Sequence, residues 1–252
     1  MYFLIDGTEQ HGYEYHFRTW VDWTEDPEQA SAFLVFGGDG AMLNAINRFH
    51  ALNKPFIGIH AGTRGYLMNN TDDPRAFYRH LDEVKIHRLW MLEGQIFTDH
   101  TQYNVFGFND IWVERRTGQT LRMKMTVDGI KQPPVLVGDG ILFCTPQGST
   151  GYNLALRGKA VAPGVPVLQV TPMSCVVNKA PLGSIILSDQ SIIEVQFLQK
   201  EKRPGGVIYD GFRREDEPVN RIVVRKSRHE VELGLVERYS FIHKVLSWQL
   251  NF

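Results

Sequence analysis

AFLVFGGDGAML (residues 32–43) is the stretch that decides how the chain begins to fold. An apolar run ends in two glycines, an aspartate and a third glycine, and a helix-like pattern comes next. Five apolar residues closed by glycine have the length and composition of a buried strand. AMLNAINRFHAL (41–52) then places Met42, Leu43, Ile46, Phe49 and Leu52 near helical spacing. A strand that passes through glycines into a helix is the unit of a parallel sheet with helical crossovers. The surrounding sequence repeats it: YFLI (2–5) and KPFIGIHAG (54–62) read as short strands, and PRAFYRHLDEV (74–84) as a short helix with Pro74 in its first turn.

From about residue 85 the texture changes. KIHRLWMLEGQIF (85–97), YNVFGFNDIWVER (103–115) and RMKMTVDGIK (122–131) are β-rich, with Gly and Asp-Gly turn signals. SIILSDQSIIEVQFL (184–198), GGVIYDGF (205–212) and NRIVVRKSRHEVELGLV (220–236) continue the pattern, and one helix-like island begins after Gly148. The expectation is an α/β domain over residues 1–85 and a β-rich domain over 86–237, with 238–252 a candidate to pack back on the first.

Composition narrows the function classes. With 252 residues, 43% hydrophobic and 22% charged, the chain is long enough for a sizeable core. A net charge of −1 supplies no field to attract nucleic acid or an anionic membrane. The basic residues Arg221, Arg225, Lys226 and Arg228 are interleaved with valines and read as a solvated strand edge. Cys144 and Cys175 are the two cysteines, in apolar settings and without metal-ligand spacing, which points to a reduced, cytoplasmic protein with no zinc site. MYFLIDGTEQ (1–10) has no basic region of a signal peptide, and no run approaches the ~18 apolar residues of a membrane span.

The glycine cluster admits two readings. A helix N-terminus beyond a parallel strand offers free N–H groups to a phosphate, and glycines let that backbone approach closely. Asp39 then either caps the helix starting near Gly40 or has chemical work, such as accepting a proton from an attacking hydroxyl. Neither G-x-G-x-x-G nor the P-loop pattern is present.

A second cluster, GDGILFCTPQGSTGYNLALRG (138–158), sets Gly148, Ser149, Thr150 and Gly151 at the head of a helix, as a further site for phosphate or a polar base edge. A nucleophilic serine is a poor alternative, because the spacing is not G-x-S-x-G. Between the clusters, Asn109 and Asp110 in FGFNDIWVER (106–115) are either a strand irregularity or an amide and carboxylate suited to sugar hydroxyls.

FGGDGAML, FNDIWVER and GDGILFCTPQGSTGYNLAL, in this order and at these separations, resemble the NAD kinase family. IGIHAGTRGYL (57–67) is similar to the family's segment between the first two motifs, and the likeness spans roughly 32–182, continuing weakly through VIYDG. GGDG alone is shared with diacylglycerol and sphingosine kinases and phosphofructokinases; the ordered set is far more specific. The resemblance implies an α/β domain, a β-sandwich-like domain and an active site between them, in homodimers or homotetramers. It implies transfer of the γ-phosphoryl group of ATP, or of polyphosphate, to the 2′-hydroxyl of the adenosine ribose of NAD. Magnesium or another divalent cation would offset the crowded negative charge.

Carried over by motif, Asp39 is the base for the 2′-hydroxyl, and Gly37, Gly38 and Gly40 shape the phosphate-facing turn. Asn109 and Asp110 contact NAD near a ribose. Thr150, Gly151 and Tyr152 fall at the adenine-bearing end, where Tyr66 lies against the base, and Ala155 is counted among the NAD-binding residues. Asp139, Ser174 and Val176 belong to the nicotinamide end, and Asp210 lies near the site. Several have a plainer alternative: packing for Tyr66, an Asp-Gly turn for Asp139, a buried strand for Ser174 and Val176, a hairpin for Asp210. His60 reads as a hydrogen-bonded structural histidine. The sequence departs from the family at Ala41 (usually Thr), Asp110 (usually Glu), Gly151 (usually Ala) and in the segment GTEQHGYEY (7–15) after the first strand. Two rivals stand beside this expectation: a lipid kinase of the diacylglycerol type and a non-catalytic dinucleotide sensor.

Overall fold

Strand Ala32–Phe36 is buried at all five positions, as a strand with parallel neighbours on both sides has to be. The computed structural model describes residues 3–7, 13–60, 65–71, 73–131, 134–178, 180–214, 217–236, 241, 244 and 246. The chain divides into two compact units, Met1–Leu89 with His229–Phe252, and Trp90–Arg228.

In the first unit, Phe3–Gly7, Ala32–Phe36 and Phe56–His60 pair in parallel, and Leu233 and Gly234 pair in parallel with Phe56 and Ile57. Helix Asp39–Phe49 buries Met42, Ala45, Ile46 and Phe49, the spacing of one helical face. Helix Tyr13–Trp20 contributes Phe17 to the core with Phe3, Leu34, Phe36 and Ile59. The helix expected over 74–84 is shorter: Pro74–Tyr78 is helical, capped by Asp73, and a separate 3-10 turn covers Leu81–Glu83. Asn69 ties strands together, donating from Nδ2 to the carbonyls of Gly58 and Gly234 and accepting at Oδ1 from the amide of Val236.

The second unit is a sandwich of antiparallel strands. One sheet runs Ile185–Ser188, Val167–Met173, Gly140–Cys144, Asp110–Arg115, Gly205–Tyr209, Phe212–Arg213. The other includes Leu121–Val127 between Ile193–Leu198 and Leu136–Gly138. Leu121, Met123, Ile193 and Val195 are buried with Ile111, Val113, Ile141, Phe143, Leu168, Val170 and Val207 in one core. Alternation decides which residues face in: Leu121–Val127 buries Leu121, Met123 and Met125, whereas Lys124 between them is exposed.

The divisions fall at 89/90 and 228/229, whereas the sequence alone places them at 85/86 and 237/238. Residues 229–236 are the second half of the long strand Arg221–Leu235 and its continuation, and they count with the first unit. Most of 238–252 lies outside the described residues.

Candidate active site

In the first unit the glycine cluster is divided by its own geometry. Gly37 has φ 134°, a conformation that L side chains rarely adopt, so the turn itself requires glycine there. Gly38 and Gly40 are different: a Cβ on either would meet nothing within 4 Å. The folded chain gives no steric reason for these two glycines, and the space beside them is open to a ligand. His60 Nδ1 lies 2.7 Å from the Gly37 carbonyl, an arrangement in which the ring nitrogen donates, in keeping with the structural role expected of it.

The capping alternative for Asp39 does not hold. Gly38 is the N-cap, the helix begins at Asp39, and no side chain caps it. The Asp39 carboxylate instead reaches across to the segment after Phe56–His60, accepting from the Tyr66 amide at Oδ2 and the Leu67 amide at Oδ1, both at 2.9 Å. On the carbonyl side of the same segment, Lys244 Nζ donates to Tyr66 O at 2.8 Å and to Met68 O. Burial lowers the Lys244 ammonium to about 8, with the Asp39 charge opposing the fall. Tyr66 is half-buried, its ring centroid 5.7 Å from that of Phe241.

In the second unit the Asn-Asp pair is gripped from two sides. Asp210 and Gly211 have φ 49° and 85° and join Gly205–Tyr209 to Phe212–Arg213, a two-residue hairpin of type I′ signature. The hairpin alternative for Asp210 describes its backbone, and the same turn brings it against the Asn109–Asp110 pair. The turn aims its carboxylate at three successive amides, Phe108 and Asn109 at 2.7 Å and Asp110 at 3.2 Å. From the other side, the Thr145 hydroxyl donates to the carbonyls of Phe108 (2.8 Å) and Asn109 (3.0 Å), and Gln147 Nε2 donates to Phe108 O and Trp90 O, both at 2.8 Å. Gly148 has to be glycine, because a Cβ there would sit 2.2 Å from Asn109 O.

The electrostatics follow from this packing. Asp110 is only 4% exposed, and burial together with the Asp210 charge pushes its carboxyl well above the ordinary range. Burial raises Asp210 to about 6, against the three amides that favour its ionised form. Asn109 Oδ1 is buried without a hydrogen-bond partner among the described residues, an acceptor that a ligand hydroxyl would satisfy.

The expected helix after Gly148 is a 3-10 turn, Gln147–Thr150, and one helical turn, Tyr152–Ala155. Arg157 at φ 64° ends it. Asn153 holds the segment down, donating to Ser149 O and accepting from the Thr171 hydroxyl at 2.6 Å. Thr150 is buried, while Gly151, Tyr152 and Ala155 are exposed, the Tyr152 ring centroid 5.2 Å from that of Trp112.

Asp139, Ser174 and Val176 form a separate grouping. Asp139 does not sit in a hairpin: Leu136–Gly138 before it and Gly140–Cys144 after it belong to different sheets, and the chain changes sheet at this residue. Its carboxylate pairs with Arg115 Nε at 2.7 Å, and its amide donates to Met173 O. Ser174 (φ 51°) and Val176 are exposed rather than part of a buried strand; only Cys175 between them is buried. Strand Asp110–Arg115 connects the groupings, whose ends lie about 17 Å apart at ~3.3 Å per residue.

Thr145, Gln147, Asn153 and Thr171 carry no motif role that the sequence alone assigns. The first three lie inside the TPQGSTGYN cluster, so position is a signal for them; Thr171 has none. Among the described residues, no group of three or more His, Cys, Asp or Glu could hold a metal ion, and no helix is long and apolar enough to cross a membrane.

Comparison with known proteins bears on both units. The model of the ATP-NAD kinase N-terminal domain matches residues 9–88, and that of the ATP-NAD kinase C-terminal domain matches 108–235. The NAD kinase of Rickettsia felis is 32% identical over 178 residues, 70% of this chain and 69% of that protein. That of Caulobacter vibrioides is 31% identical over 192 residues, 75% and 73% of the two. Among solved structures, yeast NADH kinase complexed with NADH matches with a TM-score of 0.85 at 18% identity, over 100% of this chain and 88% of that one. An NAD kinase from Archaeoglobus fulgidus in complex with ATP gives 0.79 at 21%, over 98% and 99%.

Proposed function

The chain belongs to the NAD kinase family, and from that premise we infer that it transfers the terminal phosphoryl group of ATP to the 2′-hydroxyl of the adenosine ribose of NAD, giving NADP. The observation that carries this reading is the family match in both units. Neither rival gains from it: the relatives are named NAD kinases, which supports neither a lipid substrate nor loss of activity.

Asp39 is the residue we assign to the 2′-hydroxyl. Its two oxygens each spend one lone pair on an amide, which fixes the carboxylate and leaves a second lone pair on each for the substrate. A carboxylate already fixed by the fold needs no reorganisation as the hydroxyl loses its proton. The helix N-terminus beside it, with open space at Gly38 and Gly40, suits the donor's phosphates. Asn109 Oδ1 is suited to accept from a ribose hydroxyl. Asp110, whose raised carboxyl holds its proton more readily, is suited to donate as well as accept. Tyr152 beside Trp112, with Thr150, Gly151, Ala155 and Tyr66, is assigned to the adenine-bearing end. Arg115-paired Asp139, Ser174 and Val176 are assigned to the nicotinamide end.

The described residues do not form a metal cage, so a divalent cation is proposed to enter with the nucleotide, held by its phosphates. ATP as donor is supported by the ATP complex of the archaeal relative; polyphosphate rests on the resemblance alone. The homo-oligomer also rests on the resemblance. The cytoplasmic assignment is supported by Cys144 and Cys175, both buried and unpaired.

The test of the mechanism is Asp39→Asn. General-base loss lowers kcat by on the order of 10² to 10⁴ with a smaller change in the KM for NAD. Thermal unfolding of the variant shows whether the amide, which can replace only one of the two acceptors, keeps the fold. Turnover near that of the wild type would remove Asp39 from the role.

A further inference from the structure

The 66–68 segment is held on both of its hydrogen-bonding sides. The Asp39 carboxylate takes the amides of Tyr66 and Leu67, and the Lys244 ammonium takes the carbonyls of Tyr66 and Met68. Lys244 belongs to the carboxyl-terminal segment, 178 and 176 residues from the two carbonyls it binds. Nothing in the glycine motif or in the second cluster requires it. We propose that Lys244 is a positioning residue for the phosphoryl transfer: it holds the 66–68 segment in the conformation whose two amides fix both oxygens of Asp39. This rests on the kinase reading for its catalytic consequence, but not for its geometry.

The physical case is one of shared restraint. The peptide plane between Tyr66 and Leu67 carries both the Tyr66 carbonyl that Lys244 binds and the Leu67 N–H that Asp39 accepts, so the ammonium and the carboxylate fix that one plane from opposite sides, while the bond to Met68 O holds the chain just beyond it. Both sets are charge-assisted hydrogen bonds, stronger than neutral ones. The ammonium faces the Asp39 carboxylate on helix Asp39–Phe49 and His87 on strand Lys85–Phe97, and Lys85 of that strand acts on the same imidazole. Asp39 favours the protonated lysine, whereas burial disfavours it. With the ammonium at about 8, the charge-assisted restraint is complete well below that pH and weakens as pH rises through it.

Two variants and two readouts test the proposal. Lys244→Met is close in shape along the stem but cannot donate; Lys244→Arg keeps the charge and stays protonated throughout the accessible range. Hydrogen exchange at the Tyr66 and Leu67 amides should accelerate in Lys244→Met by on the order of 10-fold or more, with strand Ala32–Phe36 unaffected. Its kcat should fall by on the order of 10 to 10² from misplacement of Asp39, with less change in KM. In Lys244→Arg, kcat should be restored and the alkaline limb of the wild-type kcat profile, near pH 8, should move upward. Unchanged exchange at residues 66 and 67 in Lys244→Met overturns the proposal whatever the activity. If Lys244→Met does not fold, a Lys244→Arg profile with its limb still near 8 overturns it equally. A wild-type chain that makes no NADP overturns the kinase reading instead, and the exchange result alone then decides the clamp.

Discussion

Replacing Asp210 with asparagine tests how the Asn109–Asp110 corner is held, and its effect should depend on pH in a stated direction. Asparagine tolerates the left-handed φ of 49°, so the hairpin is kept. What changes is the acceptor: one carbonyl oxygen and one NH2 group now face three amides that the carboxylate served at 2.7, 2.7 and 3.2 Å. Leaving one buried amide without a partner costs about 1–3 kcal/mol. Against this stands the ionisation of wild-type Asp210. Burial raises it from 3.8 to about 6, so the native state binds the proton more tightly than the unfolded chain does. Its contribution is fully present below the unfolded value of 3.8 and is lost as pH rises through 6. At ~1.36 kcal/mol per unit the loss is about 3 kcal/mol. Asp110 adds in the same direction, because removing the Asp210 charge eases its own ionisation. Urea unfolding followed by tryptophan fluorescence should therefore show Asp210→Asn less stable than wild type at about pH 4.5. The difference should close or reverse by about pH 8. A difference that is constant, or that grows with pH, would refute the assignment of Asp210 as a buried, raised carboxyl.

Other substitutions separate fold from function. Gly38→Ala meets nothing within 4 Å and should leave the thermal midpoint unchanged while raising the KM for ATP, whereas Gly37→Ala should cost about 1–3 kcal/mol of stability because φ is 134°. Gly148→Ala places a methyl 2.2 Å from Asn109 O; it should destabilise by ~1–3 kcal/mol and raise the KM for NAD, measured by unfolding and initial rates. Arg115→Ala releases the half-exposed Asp139 carboxylate; stability should change by less than ~1 kcal/mol, and NAD affinity measured by calorimetry should fall.

Much of the fold is legible in the sequence because it is local. The apolar run of Ala32–Phe36 and the spacing of Met42, Ile46 and Phe49 yield strand and helix directly, since burial acts on periodicity within one element. Asp-Gly at 128–129 and at 210–211 does make left-handed turns, with φ of 50° and 78° and of 49° and 85°. Asp-Gly at 139–140 looks the same in sequence yet marks a change of sheet, because its flanking strands find partners elsewhere in the chain. The partners of Asp39 lie 27 and 28 residues away, and those of Asp210 are 100 to 102 away. No spacing rule reaches across such separations, so only the tertiary fold decides against the capping alternative for Asp39. The helix after Gly148 is shorter than its sequence suggests, because LALRG has helical composition. Packing of Gly158 against Asn153 and the φ of Arg157 stop it after one turn.

The most direct test of the central claim is a single end-point measurement on the purified wild-type chain. NAD, ATP and magnesium are supplied, and NADP is quantified with an NADP-specific dehydrogenase, which also reports the 2′ position of the phosphate. NADP accumulating in proportion to enzyme, one for each ATP consumed, is the predicted result. ATP left intact, or hydrolysed with no NADP formed, while calorimetry shows NAD bound, would contradict it.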